Sequence, residues 1–379
     1  MLYNHKPRKS MSINPLLLSL FLSVLSNITA EAQEMLYLSS GNTITVQNID
    51  AETGALTVIQ TLRLSGLSVF TFSPDKQFLY AIASSDSNAK GTTKQFAIVT
   101  FSVAIDGRLT QLNSAPISAR TTELNTDNSG QYIAGASYGK GYVSIWKLQQ
   151  GVFTGQLIEQ LPLAKKVHAV RFSEDNQMLY VPATGPNKIF QLAFDQSTGK
   201  LSPISPALSA NKGARQPRHL VLHPHLNIAY TTQERIKPGV AVWQQDPVTN
   251  QLSLVQTLTN SDDTSARITN ADLHLSRDAK FLYISSRDQA GVQDHIALYK
   301  VSDSDGQLSF IKRFATEHFP RSFTLSDHGD FVFVAGQKNA TLGVYRVNKS
   351  TGHLTRLQQY KTGHNPIWLE THSLPLSTR

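Results

Sequence analysis

RQPRHLVLHPHLNIAYTTQE, residues 215–234, reads as a short apolar strand (Arg218 to Leu222), a turn (His223 to Asn227) and a second strand (Ile228 to Thr232) that ends on Glu234. An antiparallel pair joined by a tight turn returns its last residue to the level of its first. Arg218 and Glu234 are therefore expected to be neighbours at one edge.

The same pattern recurs along the chain. The aromatic or apolar residue that closes the second strand's hydrophobic triplet is found at Tyr37, Tyr80, Ala134, Tyr180, Tyr230, Tyr283 and Phe333, with successive spacings of 43, 54, 46, 50, 53 and 50 residues. A period of this size belongs to propeller blades. A turn of the Ser-Pro-Asp kind stands before most of these markers: FSPDKQFLY (72–80), FSEDNQMLY (172–180), LHPHLNIAY (222–230), LSRDAKFLY (275–283) and LSDHGDFVF (325–333), with NTDNSGQYIA (125–134) a weaker copy. A second marker, of the form Asp-x-x-x-Gly-x-Leu, follows each first one, as in DAETGAL (50–56), DGRL (106–109), DQSTGKL (195–201), DGQL (305–308) and NKSTGHL (348–354). Seven alternations of two markers predict an all-β fold, a seven-bladed propeller of four-stranded blades.

The two ends complete one another. The first unit lacks the inner strand that precedes the marker elsewhere, while GHNPIWLETHS (363–373) is a surplus inner strand resembling ARQPRHLVLHP. Pairing of the C-terminal strand, 365–372, with the blade of Tyr37 is expected to close the ring and leave no long sheet edge exposed. One domain is expected over 33–379. Residues 1–32 read as a signal peptide: Lys6, Arg8 and Lys9 precede the apolar run Pro15 to Leu25, and Ala30-Glu31-Ala32 is a cleavage signal. That run is shorter than the ~20 residues of a membrane span. An exported protein, periplasmic or secreted, with no membrane attachment after cleavage is expected.

Composition narrows the chemistry. The absence of cysteine removes disulfides and thiol catalysis. Loss of Lys6, Arg8, Lys9 and Glu31 lowers the formal charge from +8 to +6. No five-residue basic run and no basic stripe interleaved with aromatics is present, so nucleic acid is not expected as a partner. The surplus suits a small anionic ligand. A monomer is expected.

Lining up the repeats locates the site. Twelve residues before each marker stand Ser68, Thr122, His168, Arg218, Ala271 and Arg321, and four after it Ser84, Tyr138, Thr184, Glu234, Arg287 and Gln337. Both sets are expected at one rim of the central channel, where a purely structural ring would show small or apolar residues throughout. Blades four to seven instead present His168, Arg218, Glu234, Arg287 and Arg321, with Asp272 one place beyond Ala271. Taken singly, a histidine at a strand start is commonly a hydrogen-bonded residue, and an Arg/Glu pair a structural ion pair. Three arginines converging on one mouth make sense when an anion or a developing oxyanion lies between them, and the planar guanidinium fork suits carboxylate or phosphate. Glu234 and His168 are the proton-transfer candidates. Arg321, Asp272, Tyr138 and Gln337 are assigned to substrate binding.

Other signals are weaker. His219, His223 and His225 suggest a metal cluster, but His223 and His225 occupy the turn slots at the far end of the strand, and no carboxylate or thiolate spacing accompanies them. Neither a metal nor a cofactor is expected. The lack of a G-x-S-x-G elbow disfavours serine hydrolysis.

In PRHLVLHP (217–224), ADLHLSRDAKFLY (271–283), PRSFTLSDHG (320–329), VAGQKNATLGVY (334–345) and TGHNPIW (362–368) the chain resembles the β-propeller lactonases, whose members include bacterial 6-phosphogluconolactonases and, as relatives, fungal carboxymuconate cyclases. The resemblance implies metal-independent hydrolysis of a lactone, with His168, Arg218, Glu234 and Arg287 matching the family's active-site residues. The well-known bacterial members act in the cytosol on a phosphorylated sugar-acid lactone, whereas this chain carries an export signal. An unphosphorylated or carboxylated lactone therefore stands beside the phosphorylated one. The alternatives are a muconate-type lactonising cyclase and a non-catalytic propeller that binds an anionic ligand or a protein on its rim.

Overall fold

In the computed structural model the chain divides into Met1–Glu31 and Ala32–Arg379. The described residues are 1–2, 33–85, 94–204, 208–209, 216–260 and 267–374, so all but the first two residues of the expected signal segment lie outside them. Among them every regular element is a strand, and no helix is long and apolar enough to cross a membrane.

Seven sheets of four strands form, one of them joined by the short additional strand Leu208–Ser209. The blade of the opening segment is typical: Pro217–Leu222 innermost, then Ile228–Gln233, Gly239–Gln245 and Leu252–Thr259. Its second strand is buried along its whole length, as is Phe281–Asp288 in the next blade, while the outermost strand Leu308–Ala315 alternates toward exposure. A second strand has a neighbouring blade on both faces, so its burial is continuous in place of alternating.

The two sequence markers are joined physically. The Tyr37 hydroxyl donates to the Gly107 carbonyl at 2.7 Å, Tyr80 to Gly151 at 2.7 Å, Tyr230 to Gly306 at 2.7 Å and Tyr283 to Gly352 at 2.9 Å. Each marker tyrosine thus fastens its blade to the turn of the following blade. Tyr180 reaches Asn250, which stands in the glycine's slot, at 2.6 Å. Gly306 has φ +67, and a Cβ there would lie 2.8 Å from the Ile228 side chain and 3.0 Å from the Tyr230 hydroxyl. Both the left-handed backbone and the blade seam exclude a side chain at that turn. Tyr230→Phe leaves the Gly306 carbonyl without its donor at no cost in ring volume; a loss of about 1–3 kcal/mol is expected, seen as a fall of a few degrees in Tm with the blade architecture retained.

Pro366–Ser373 pairs antiparallel with Glu34–Ser40, placing Tyr37 opposite Glu370, so the first blade takes its inner strand from the other end of the chain. Inner strands are short and irregular. The ladder slips between Pro217 and Leu220, between Asn270 and Leu273, and between Pro320 and Ser322. Bulges of this kind re-aim side chains, and these three lie where the channel is built.

Candidate active site

Three inner strands are approached through a residue in the left-handed region: Lys166 (φ 67), Gln216 (φ 56) and Phe319 (φ 63), two places before His168, Arg218 and Arg321. The carbonyl of that residue accepts the amide that ends the blade's second strand. The Thr184 and Glu234 amides bond Lys166 and Gln216 at 3.0 Å, and the Gln337 amide bonds Phe319 at 3.2 Å. This clasp sets the starts and ends of the two strands at one rim, as the hairpin reading required.

A cavity of about 730 Å³ opens there, and its wall includes Tyr138, His168, Glu234, Arg287 and Arg321. Arg120, Lys140 and Arg235 add cationic groups, and Phe319 contributes a ring beneath the Arg287 guanidinium, 5.2 Å away. The spacing rule missed Arg120, Arg235 and Phe319. Arg235 follows Glu234 directly, and Arg120 precedes Thr122 by two, so adjacency to the aligned positions was the available signal. For Phe319 the telling property is a left-handed backbone at a bulky residue, and no residue pattern displays it.

Three residues stand elsewhere than the alignment places them. Arg218 is absent from the wall of the large cavity: it lies deeper, 2% exposed, beside a narrow neck of about 20 Å³ that it shares with His168 and Arg321, and its guanidinium donates to the Ala271 carbonyl at 2.6 Å. From there its charge reaches Glu234 and His168. Asp272 does not face this mouth. It accepts from Ser322 at 2.9 Å, lies 3.0 Å from His219 Nδ1, and borders a second cavity of about 630 Å³ at the opposite mouth, among the Ser-Pro-Asp turns. Gln337 is outside the cavity wall as well, donating to Asn365 at 2.6 Å. Its strand ends at the rim, but its side chain is directed along the surface. The bulges explain the first two displacements, since a slipped rung turns Arg218 and Asp272 inward.

Electrostatics follow from burial. The Arg287 guanidinium donates to Glu234 at 3.0 Å and to the Asn270 carbonyl at 2.8 Å, and its Nε has no hydrogen-bond partner among the described residues. Burial, then repulsion from Arg218 and Arg321, holds Arg287 well below its ordinary pKa, and burial with Arg218 brings Arg321 down to about 10. Burial by itself raises the Glu234 carboxyl, but Arg218, Arg287 and Arg235 outweigh it, so the net shift is downward. Burial and the surrounding cations Arg218, Arg321 and Arg287 hold His168 well below its usual range. At neutral pH the site therefore contains a carboxylate, a neutral imidazole and three crowded guanidiniums. Glu234 and, from the far side, Asp272 offset part of the charge of Arg218 and Arg321, while on the cavity wall itself Arg120, Lys140, Arg235, Arg287 and Arg321 stand against Glu234.

The turn histidines are used locally. His223 Nδ1 accepts the amides of His225 and Leu226 at 3.1 and 3.0 Å within its own turn, and His219 lies apart from them at the neck.

The model of a family described as "Lactonase, 7-bladed beta-propeller" matches residues 29–371. A 6-phosphogluconolactonase of Yersinia pestis (strain Pestoides F) is 31% identical over 320 residues, covering 83% of this chain and 91% of the relative. One from Yersinia enterocolitica is 30% identical over 323 residues, with 84% and 91% covered. Among solved structures, the periplasmic gluconolactonase of Pseudomonas aeruginosa superposes with a TM-score of 0.80 at 24% identity, covering 91% of this chain and 100% of that one, which shows the shared fold.

Proposed function

Since the chain belongs to the seven-bladed β-propeller lactonase family, we propose that it hydrolyses a sugar-acid lactone bearing an anionic group in the cavity lined by Glu234, Arg287 and Arg321. The observation that carries this reading is the cationic wall of the cavity: Arg120, Lys140, Arg235, Arg287 and Arg321 against Glu234, around a space of about 730 Å³. An anionic substrate relieves that excess of cations, and the negative charge that develops on the carbonyl oxygen relieves it further, which favours the transition state over the ground state.

In the proposed reaction Glu234 takes a proton from water as the water oxygen attacks the lactone carbonyl. The tetrahedral intermediate then expels the ring oxygen, which recovers the proton from Glu234, giving the open hydroxy acid. Arg287 and Arg321 face the oxyanion and the substrate's anionic group, Arg218 adds its field from behind, and Tyr138 stands edge-on to His168 at 5.7 Å, confining the imidazole. Acid release from a phosphorylated and an unphosphorylated δ-lactone, corrected for spontaneous opening, tests the reading. Catalysed release from either supports it; binding of the corresponding acid without any catalysed release leaves an anion-binding propeller.

A pH profile follows from the same shifts. Glu234 and His168 both have lowered pKa values, so their base forms persist on acidification and are lost only as pH falls through those lowered values. The expected kcat/KM is flat from about pH 8 to about pH 5, with its acid limb below the ordinary carboxylate value of about 4.3. A limb centred near pH 6.5 would assign the proton to an unperturbed histidine and contradict the arrangement.

We also propose export, on the basic segment, apolar run and Ala30-Glu31-Ala32 of residues 1–32. N-terminal sequencing of the native protein is expected to begin at Gln33; retention of 1–32 in the cytosol would restore the phosphorylated lactone as the favoured substrate.

A further inference from the structure

Between the two mouths, at the neck, blades three, four and five contribute one potential ligand each: Glu123, His168 and His219, 6%, 5% and 6% exposed. One ligand atom from each lies within 4.8 Å of the others, and His219 Nε2 is 3.8 Å from Glu123 Oε2. The neighbourhood leaves these atoms bare. Glu123 Oε2 and His168 Nδ1 are buried and have no hydrogen-bond partner among the described residues. Asp272, which accepts from Ser322, also accepts a hydrogen bond from His219 Nδ1–H at 3.0 Å. That bond fixes the tautomer in which the Nε2 lone pair points away from Asp272 and toward Glu123. Two electron-pair donors then face one another across 3.8 Å, too far for a hydrogen bond between them.

We propose that Glu123, His168 and His219 form a binding site for a divalent ion of the zinc class at the neck of the ring. Two imidazoles and one carboxylate are a zinc-type donor set, and a histidine ligand whose other nitrogen is held by a carboxylate is the usual outer arrangement of such sites, here supplied by Asp272. Ligands about 2.1 Å from zinc at tetrahedral angles stand about 3.4 Å apart. The pair at 3.8 Å closes with a shift of a few tenths of an ångström, and the widest spacing, up to 4.8 Å, needs about an ångström more. Without an ion, burial pushes the Glu123 carboxyl up to about 8 despite Arg171 and Arg218. An ion therefore binds there by displacing the Glu123 proton, and the Asp272 carboxylate offsets the Arg218 and Arg321 guanidiniums at the neck. Oxygen-seeking magnesium and calcium are poorly served by a set with two nitrogens. His168 is also the alternative base of the lactone reading, but zinc binding is measured without substrate, so either reading can fail while the other stands.

The test is equilibrium dialysis and calorimetry with zinc on chelator-treated full-length protein, followed by elemental analysis. One equivalent is expected to bind and to resist a large excess of magnesium. Glu123→Gln and His219→Gln are each expected to weaken zinc by about 100-fold or more, Asp272→Asn by about 10–100-fold, and His225→Gln in the surface turn not at all. Far less than one equivalent on the wild type, or equal affinity in the Glu123 and His219 variants, overturns the site. Should those variants fail to fold, anomalous scattering from zinc-loaded wild-type crystals decides it: a peak bonded to Glu123 and His219 Nε2 upholds the proposal, and a peak elsewhere or none at all refutes it.

Discussion

Glu234→Gln is expected to lower kcat for lactone opening by roughly 10²–10⁴ with KM little changed, because the amide keeps shape and one acceptor oxygen but cannot take a proton. The side chain stands on the cavity wall, half of an ion pair with Arg287 at 3.0 Å, and is 7% exposed. The same substitution leaves Arg287 and Arg218 without their nearest opposite charge, and removing one partner of a buried pair commonly costs about 3–5 kcal/mol. A thermal melt must therefore accompany the kinetics: a folded but slow variant is the informative result. His168→Gln separates the two candidate bases. Full activity in Glu234→Gln with loss in His168→Gln transfers the proton to the imidazole, and full activity in both leaves anion binding without chemistry. Arg321→Lys, which puts a point charge in place of a fork, is expected to raise KM more for a phosphorylated or carboxylated lactone than for a neutral one.

Truncation after Gly363 is expected to abolish the cooperative thermal transition. It removes the inner strand Pro366–Ser373 and with it Ile367, Leu369 and Leu374, which are 8%, 2% and 3% exposed. At about 1.5–3 kcal/mol for each buried aliphatic side chain, about 5–9 kcal/mol disappears, comparable with the whole stability of an ordinary domain. The cut also leaves the backbone of Glu34–Ser40 unpaired on one side, a ready template for association between copies. Scanning calorimetry and light scattering together read both effects. An unchanged melt in a monodisperse sample would show that the ring does not depend on its last strand.

What the sequence determined by itself is whatever repeats. Period, blade number and strand order follow from Tyr37, Tyr80, Tyr180, Tyr230 and Tyr283 and from the turns that come after them, because every blade must solve the same problem of burying both faces of its second strand. The rim positions His168, Glu234, Arg287 and Arg321 were legible for the same reason: equal spacing from an equivalent marker puts equivalent residues at an equivalent height. Tertiary structure decided everything that turns on direction. The tyrosine-to-turn bonds cross between blades, so neither marker alone reveals its partner. Arg218 and Asp272 leave the rim because the ladder slips at Pro217–Leu220 and Asn270–Leu273, and a bulge is set by local backbone strain and by the neighbouring blade, not by any residue pattern. His219 illustrates the point. In sequence it stands with His223 and His225, four and six residues away; in space the slipped strand turns it into the neck, toward Glu123 and His168, each about fifty or more residues distant, because ring closure brings the inner strands of all blades to one axis.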